Sequence, residues 1–323
     1  MGDRRFARGL TGDAKKRLED MAGSQSGNWW KDLLALWGPS GTGKSERPLR
    51  LAVRDNYLNF YLRGQSVARV AFDGQSRPYV DVHVKYAFEG ATEQAYARLI
   101  DAGIIHPKAA HSASYRGAST LWEWMARAAG WETAEKAEVE RVVADNPGVI
   151  DLEMGLPAHG DQKTALRMDL IALEPEGGRA KIVFWEAKRV TDSRLKAKGA
   201  NVPEVMGQID AYKSYLADEG HRRAVIDAYA QTCAQLAAFA DMAADGGKPL
   251  GLDPTVRSVA ASPEMLDLDT DPRLVIFGTE EQLAAAAWQG HQGKLVREGV
   301  PVLTIKTDAY RLDAPTNGGA VSA

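Results

Sequence analysis

From Arg47 onward, apolar and polar positions alternate with a period of two. Leu49, Leu51 and Val53 form one run, Asp55-Asn56 is a turn signal, and a second run passes through Tyr57, Asn59 and Tyr61. Residues 77 to 88 alternate again, through Val80, Val82, Val84 and Tyr86. Strand side chains point to opposite faces in turn, so this pattern predicts half-buried strands joined by tight turns. Two stretches, ATEQAYARLIDAG (91 to 103) and STLWEWMARAAG (119 to 130), read as helices. Ahead of the strands, Trp30, Leu33, Leu34 and Trp37 stand at helical spacing. Residues 28–130 are therefore expected to form a small α+β domain with antiparallel strands. Residues 1–27 are polar and end in the linker-like GSQSG, so a flexible N-terminal segment is expected there, with a short helix over TGDAKKRLEDMAG.

The second half has a different rhythm. AEKAEVERVVADNP reads as a helix ending at Asn146-Pro147. VIDLEMGLP, LRMDLIAL and AKIVFWEAK are strand candidates, separated by the turn-forming HGDQKT and EPEGGR. A helix over residues 203 to 220 places Val205, Ile209, Tyr212 and Leu216 on one stripe, with Gly220 at its end. A longer Ala-rich helix over about 221 to 245 comes next, then a loop, the strand RLVIFG, one helix over EEQLAAAAWQGHQGKLVREG, and the strand PVLTIKT. Residues 131–313 are thus expected to form an α/β domain, a mixed sheet flanked by helices, within a chain that is α+β as a whole. Residues 314–323 read as a disordered tail.

Composition alters this picture little. The chain has 323 residues, 45% hydrophobic and 26% charged, enough for two domains with a sizeable core. A formal net charge of -3 means that any nucleic-acid site must be a local basic surface. The single cysteine, Cys233, excludes an intrachain disulfide framework or a Cys-based zinc site, and it reads as a small buried hydrophobe. No apolar run reaches the length of a membrane span, and MGDRRFARGL has no apolar segment after it to make a secretory signal. A cytoplasmic protein without membrane partners is expected.

The candidate chemistry lies where charged residues interrupt apolar runs. Asp169 sits inside LRMDLIAL, and Glu186 and Lys188 end KIVFWEAK. Carboxylates in buried strands need compensation for their charge. Residues 186 and 188 share a strand face, and a hairpin would bring Asp169 to the same end of the sheet. Two carboxylates and a backbone carbonyl, that of Ala187, suit a hard cation such as Mg²⁺ or Mn²⁺. Lys188 beside them could orient a water or neutralise a phosphate oxygen. The competing reading is a solvent-facing strand end with Lys188 as a surface ion-pair partner.

In this order the residues resemble the PD-(D/E)xK nuclease superfamily: Asp169 near the start of one strand, then Glu186-Ala187-Lys188 on the next. The resemblance covers residues 134 to 216. It extends to a helix glutamate ahead of the strands, for which Glu138 is preferred and Glu135 kept as the alternative. Gln208 and Tyr212, four residues apart on the following helix, match the Gln-x-x-x-Tyr of the RecB-like branch. Met168 stands where the family often has proline. The resemblance implies a restriction-endonuclease-like domain, a metal site of Asp169, Glu186, the helix glutamate and the Ala187 carbonyl, and metal-dependent cleavage of DNA. A place in phage defence or DNA repair rests on analogy with such nucleases.

Basic residues stand beyond the motif at Arg189, Arg194, Lys196 and Lys198, and again at His221, Arg222 and Arg223, where a DNA backbone could be held. In the first half, Asp81, His83 and Lys85 fall on one strand face, either a solvated side or a contact surface for DNA or a protein partner. Residues 38 to 45, GPSGTGKS, match the phosphate-binding loop of ATPases and GTPases, with Lys44 and Ser45 as its nucleotide ligands. That loop needs a strand before it and a helix after it, and here the order is helix, loop, strand. A nucleotide-binding protein is therefore the least favoured alternative. A catalytically inactive nucleic-acid or protein-binding module on a nuclease fold is the other.

Overall fold

In the computed structural model, which describes residues 6–42, 46–108, 112–157, 167–199, 201–244, 248–306 and 310–312, the alternating stretch becomes an antiparallel meander. Helices α1 (Gly12–Gly23) and α2 (Trp29–Leu36) lead into β1 (Arg50–Val53), β2 (Leu58–Leu62), β3 (Gln65–Phe72) and β4 (Pro78–His83). A single turn, α3 (Val84–Ala87), precedes β5 (Tyr96–Ile100), β6 (Gly103–Ile105) and β7 (Ser112–Ser114), and α4 (Ala118–Ala129) follows. The seven strands pair in chain order. Asn56 takes a left-handed conformation at the first turn, φ 57°, which asparagine tolerates well.

Two expectations change here. Residues 91–103 are not a helix. Ala97 and Leu99 are buried while Tyr96, Arg98 and Ile100 are exposed, so the period is two and the segment forms β5 and the turn into β6. Lys85 also leaves the strand face of Asp81 and His83, since it belongs to α3, where its ammonium lies over the Trp131 ring.

The second sheet follows α5 (Ala134–Asp145) and consists of β8 (Val149–Gly155), β9 (Arg167–Glu176), β10 (Arg179–Arg189), β11 (Leu266–Leu268), β12 (Arg273–Gly278) and β13 (Val302–Lys306). Its order is β13-β12-β10-β9-β8, with β11 also pairing with β10. The β8–β9–β10 meander is antiparallel, whereas β11, β12 and β13 add in parallel. Between β9 and β10, Gly177 and Gly178 both have positive φ, 55° and 82°. A two-residue hairpin turn of this kind fixes the register of the two strands. The turn expected over HGDQKT lies outside the described residues.

Helices α6 (Val205–Ala217), α7 (Glu219–Met242), α8 (Pro254–Ala261), α9 (Glu280–Ala284) and α10 (Ala286–Arg297) complete the fold. Gly220 does not end α6. Asp218 caps the start of α7 by accepting the His221 N–H, so Gly220 sits in the first turn of α7. The expected helix over 280–299 breaks at Ala285, whose extended backbone separates α9 from α10. The expected loop before RLVIFG holds α8 and β11. The chain belongs to the mixed α+β class, with two open sheets.

Val142 and Val143 of α5 cover one face of the second sheet, over Leu170, Val183 and Trp185. The opposite face packs on α6 and α7, where Ile171 and Phe184 meet Tyr212 and Tyr229. That same buried cluster includes Trp30 and Phe60, so one core runs across the expected boundary at residue 130. Residues 6 to 23, expected to be flexible, contribute Phe6 and Leu18 to it. Cys233 is buried in α7 as expected. Among the described residues no helix is long and apolar enough to cross a membrane.

The glycine loop has the expected helix-to-strand setting, between α2 and β1. Among the described residues of the loop, carbonyls and not amides make the polar contacts with a side chain. The buried Arg50 guanidinium donates to the carbonyls of Gly38 (2.9 Å), Pro39 (3.0 Å) and Thr42 (3.2 Å). A phosphate cradle presents N–H groups to an anion, and here carbonyls enclose a cation. Lys44 and Ser45 lie outside the described residues. Gly38 has a packing reason, because a Cβ there would collide with the Arg47 carbonyl oxygen. Gly38→Ala should therefore destabilise the protein by about 1–3 kcal/mol through overpacking. A urea midpoint equal to that of the parent would show that the loop yields without cost.

Candidate active site

The register of the Gly177-Gly178 hairpin assembles the site. Phe184 pairs with Ile171 and Trp185 with Leu170, so the next step places Glu186 across from Asp169. On its other side β10 is covered by β12, Glu186 against Leu274 and Lys188 against Ile276. Both polar side chains are driven inside by that coverage, each residue retaining 2% exposure. The Asp169 side chain keeps 21%, so the site meets solvent on the Asp169 side.

Lys188 Nζ donates to Glu186 Oε1 and to the Ala187 carbonyl (2.8 Å), and stands 3.7 Å from Asp169 Oδ2. The Ala187 N–H donates to Asp169 Oδ2 at 2.8 Å. Glu186 Oε2 is buried without a hydrogen-bond partner. Two carboxylates thus share one buried ammonium, and the imbalance shows in their acidities. Burial raises the Glu186 carboxyl to about 8, with the Asp169 charge adding to the rise and Lys188 opposing it. Burial also raises Asp169, to about 6, against the pull of Lys188 and the Ala187 N–H.

Both α6 residues come to the site. The Gln208 side chain lies near enough to Glu186 to oppose the rise of its carboxyl pKa, and its Nε2 donates to the Arg167 carbonyl at 2.8 Å. The Tyr212 hydroxyl is buried without a hydrogen-bond partner, and burial together with the charges of Glu186 and Asp169 raises its pKa.

Of the two helix glutamates, Glu135 is the one whose charge reaches Asp169, whereas Glu138 pairs with Arg141 (3.4 Å) and its charge acts on Tyr310. Another carboxylate went unread in the sequence. The pairs Leu152–Leu170 and Met154–Met168 leave Glu153 across from Asp169, and its charge raises the Asp169 pKa more than that of Glu135 does. Glu153 adopts a left-handed backbone, φ 50°, and pairs with Arg167 (3.3 Å) and Lys136 (3.7 Å). Its signal was an acidic residue within the apolar strand VIDLEMG, the same kind of interruption that exposed Asp169.

The basic cluster is only partly available. Arg194 is held by Asp192 at 2.6 Å and feels the charges of Glu135 and Glu186. Arg189 ends β10 half-buried, and Lys196 and Lys198 are exposed. His221 and Arg222 close the end of α6 instead, bonding the carbonyls of Tyr215, Leu216 and Ala217. Asp81 pairs with Arg98 at 3.0 Å and His83 contacts Gln94 at 3.3 Å.

Among the described residues no three His, Cys, Asp or Glu side chains converge as a metal cage. Asp169, Glu186 and the Ala187 carbonyl make a smaller oxygen set, and the unpartnered Glu186 Oε2 gives it spare acceptor capacity. Mg²⁺ is commonly held by one or two carboxylates with waters and phosphate oxygens completing its shell, so this donor set fits. No protein-family model, characterised protein or solved structure matches the chain.

Proposed function

We propose that the chain is a metal-dependent nuclease that hydrolyses DNA phosphodiester bonds. The observation that carries this reading is the buried Asp169–Glu186 pair with the Lys188 ammonium on its oxygens. Asp169, Glu186 and the Ala187 carbonyl would hold Mg²⁺ or Mn²⁺. When bound, such an ion supplies Lewis acidity and lowers the pKa of a coordinated water. Lys188 neutralises a phosphate oxygen or orients the attacking water, a role suited to a compact charge on a flexible stem. Gln208 and Tyr212 fix the Glu186 side of the pocket and keep bulk water from it. The restriction-endonuclease-like character of the second sheet, its DNA partner and a cytoplasmic setting in defence or repair belong to the same proposal.

The test is cleavage of supercoiled, linear and single-stranded DNA with Mg²⁺ or Mn²⁺, beside Lys188→Ala and Lys44→Ala. Lys188→Ala should lose at least about 100-fold in rate, and Lys44→Ala nothing. Cutting by no form, with either ion, would leave an inactive binding module as the better reading.

Metal uptake should depend steeply on pH. Raised carboxyl pKa values mean that protons compete for the oxygens at pH 6, and this competition fades as pH rises toward 8. Affinity for Mn²⁺ is therefore expected to increase about tenfold or more between pH 6 and 8, read by calorimetry. A flat response would show both groups already ionised at pH 6.

A further inference from the structure

Beside the candidate site, a cleft of about 570 Å³ opens between the first sheet and the β8–β9 edge of the second. Arg8, Arg54, Arg69, Lys136 and Arg167 line it, with Glu153 as its lining carboxylate. Asp151, behind the wall, takes Arg8 and Arg54, which leaves an excess of three positive charges. On a chain of net charge -3 this is a concentrated basic patch. Arg69 is exposed, pairs with no carboxylate among the described residues, and lies 4.3 Å from the centre of the Tyr57 ring. Tyr96 is 58% exposed on the same wall.

The cleft reaches the candidate site along β9. Arg167 lines it, and Asp169 is two residues further on, hence on the same strand face. Gln208 ties the two together by donating to the Arg167 carbonyl. Glu153 belongs to both, as part of the cleft wall and as a charge felt by Asp169.

We infer that this cleft binds a single-stranded nucleic-acid segment and feeds it to the Asp169–Glu186 site. The inference rests on the nuclease reading for its direction but not for its chemistry. Phosphates meet Arg69, Lys136 and Arg167, and unpaired bases stack on Tyr96 and on the Arg69 plane. A positive groove with aromatic platforms is what holds strands whose base faces are free, whereas paired bases within a duplex hide those faces.

The test measures binding without cleavage, using the full chain in EDTA and a fluorescein-labelled thymidine oligomer of about 12 nucleotides. Tyr96→Ala and Arg69→Ala should each raise Kd about tenfold, and Arg69→Ala should flatten the salt dependence by about one phosphate contact. Arg69→Lys should restore the salt slope but not the full affinity. Arg77→Ala, outside the cleft, should bind like the parent. A blunt duplex should bind more weakly than the oligomer. Kd values within twofold of the parent for both Ala variants, or tighter binding of the duplex, would overturn the inference. Variants that lose the oligomer in a protein that cuts nothing would sink the nuclease reading and leave the cleft standing. Cutting with binding unaffected by either variant would do the reverse.

Discussion

Asp169→Asn should abolish cleavage and, in the metal-free protein, raise stability. Removing this carboxylate takes one of the two acidic donors from the proposed metal site, and a rate loss of about 10³-fold or more is expected. The stability effect runs the other way because the carboxylate is held in a place that disfavours its charge. The folded protein keeps the Asp169 proton up to a pH of about 6, and an unfolded chain releases it near 4. Between those values the folded state binds more protons than the unfolded one, so stability falls as pH rises. Glu186, raised to about 8, extends the same decline upward. Asparagine retains an acceptor for the Ala187 N–H (2.8 Å to Asp169 Oδ2) and carries no charge to bury. The gain should be absent below about pH 4 and full near pH 8, roughly 1–2 kcal/mol after allowing for partial exposure and the attraction of Lys188. Melting curves in EDTA at several pH values, beside cleavage assays with Mn²⁺, measure both halves. A lower melting temperature for Asp169→Asn at pH 8 would show that Lys188 more than balances the pair.

The parts of the site that sequence revealed are those with a local signal. Apolar strands interrupted by Asp169 and by Glu186 and Lys188 are visible in a short window, and Gly177-Gly178 between them dictates a tight hairpin. Residues 91–103 misled because Ala content and the spacing of Tyr96, Leu99 and Ile100 resemble a helix stripe. The sheet overrides that propensity by offering β4 as a partner, Val80 against Leu99 and Val82 against Ala97. Glu153 was passed over because its importance depends on the strand opposite, and its left-handed backbone has no mark in composition. Asp151 interrupts the same strand, VIDLEMG, and its partner Arg8 lies 143 residues earlier. No window on the chain holds both. The expected division into two domains failed to register this kind of contact, since periodicity says which face is buried but not against what.

Asp151→Ala should be among the most destabilising single substitutions in the protein. Asp151 Oδ2 accepts from Arg8 Nε at 3.4 Å and from the Tyr229 hydroxyl at 3.0 Å. Its Oδ1 accepts from Arg54 Nη1 and from the Leu152 N–H at 2.7 Å. Arg8, Arg54 and Asp151 are exposed by only 8%, 5% and 1%. The carboxylate therefore joins four separate parts of the chain: the segment before α1, the end of β1, β8 and α7. Alanine would leave two guanidinium groups buried without their shared countercharge and one tyrosine hydroxyl without its acceptor. Breaking a buried ion pair from one side costs about 3–5 kcal/mol, a large part of the roughly 5–15 kcal/mol that holds a typical domain folded. Asp151→Asn keeps the shape and some of the hydrogen bonds, so it should cost less than alanine but well over 1 kcal/mol. Asp81→Ala, which breaks the more exposed pair with Arg98, should cost under about 1 kcal/mol. Urea unfolding of the three variants orders these losses. The outcome decides whether the first and second sheets fold as one unit, since a small loss at Asp151 would mean that the apolar core alone joins them.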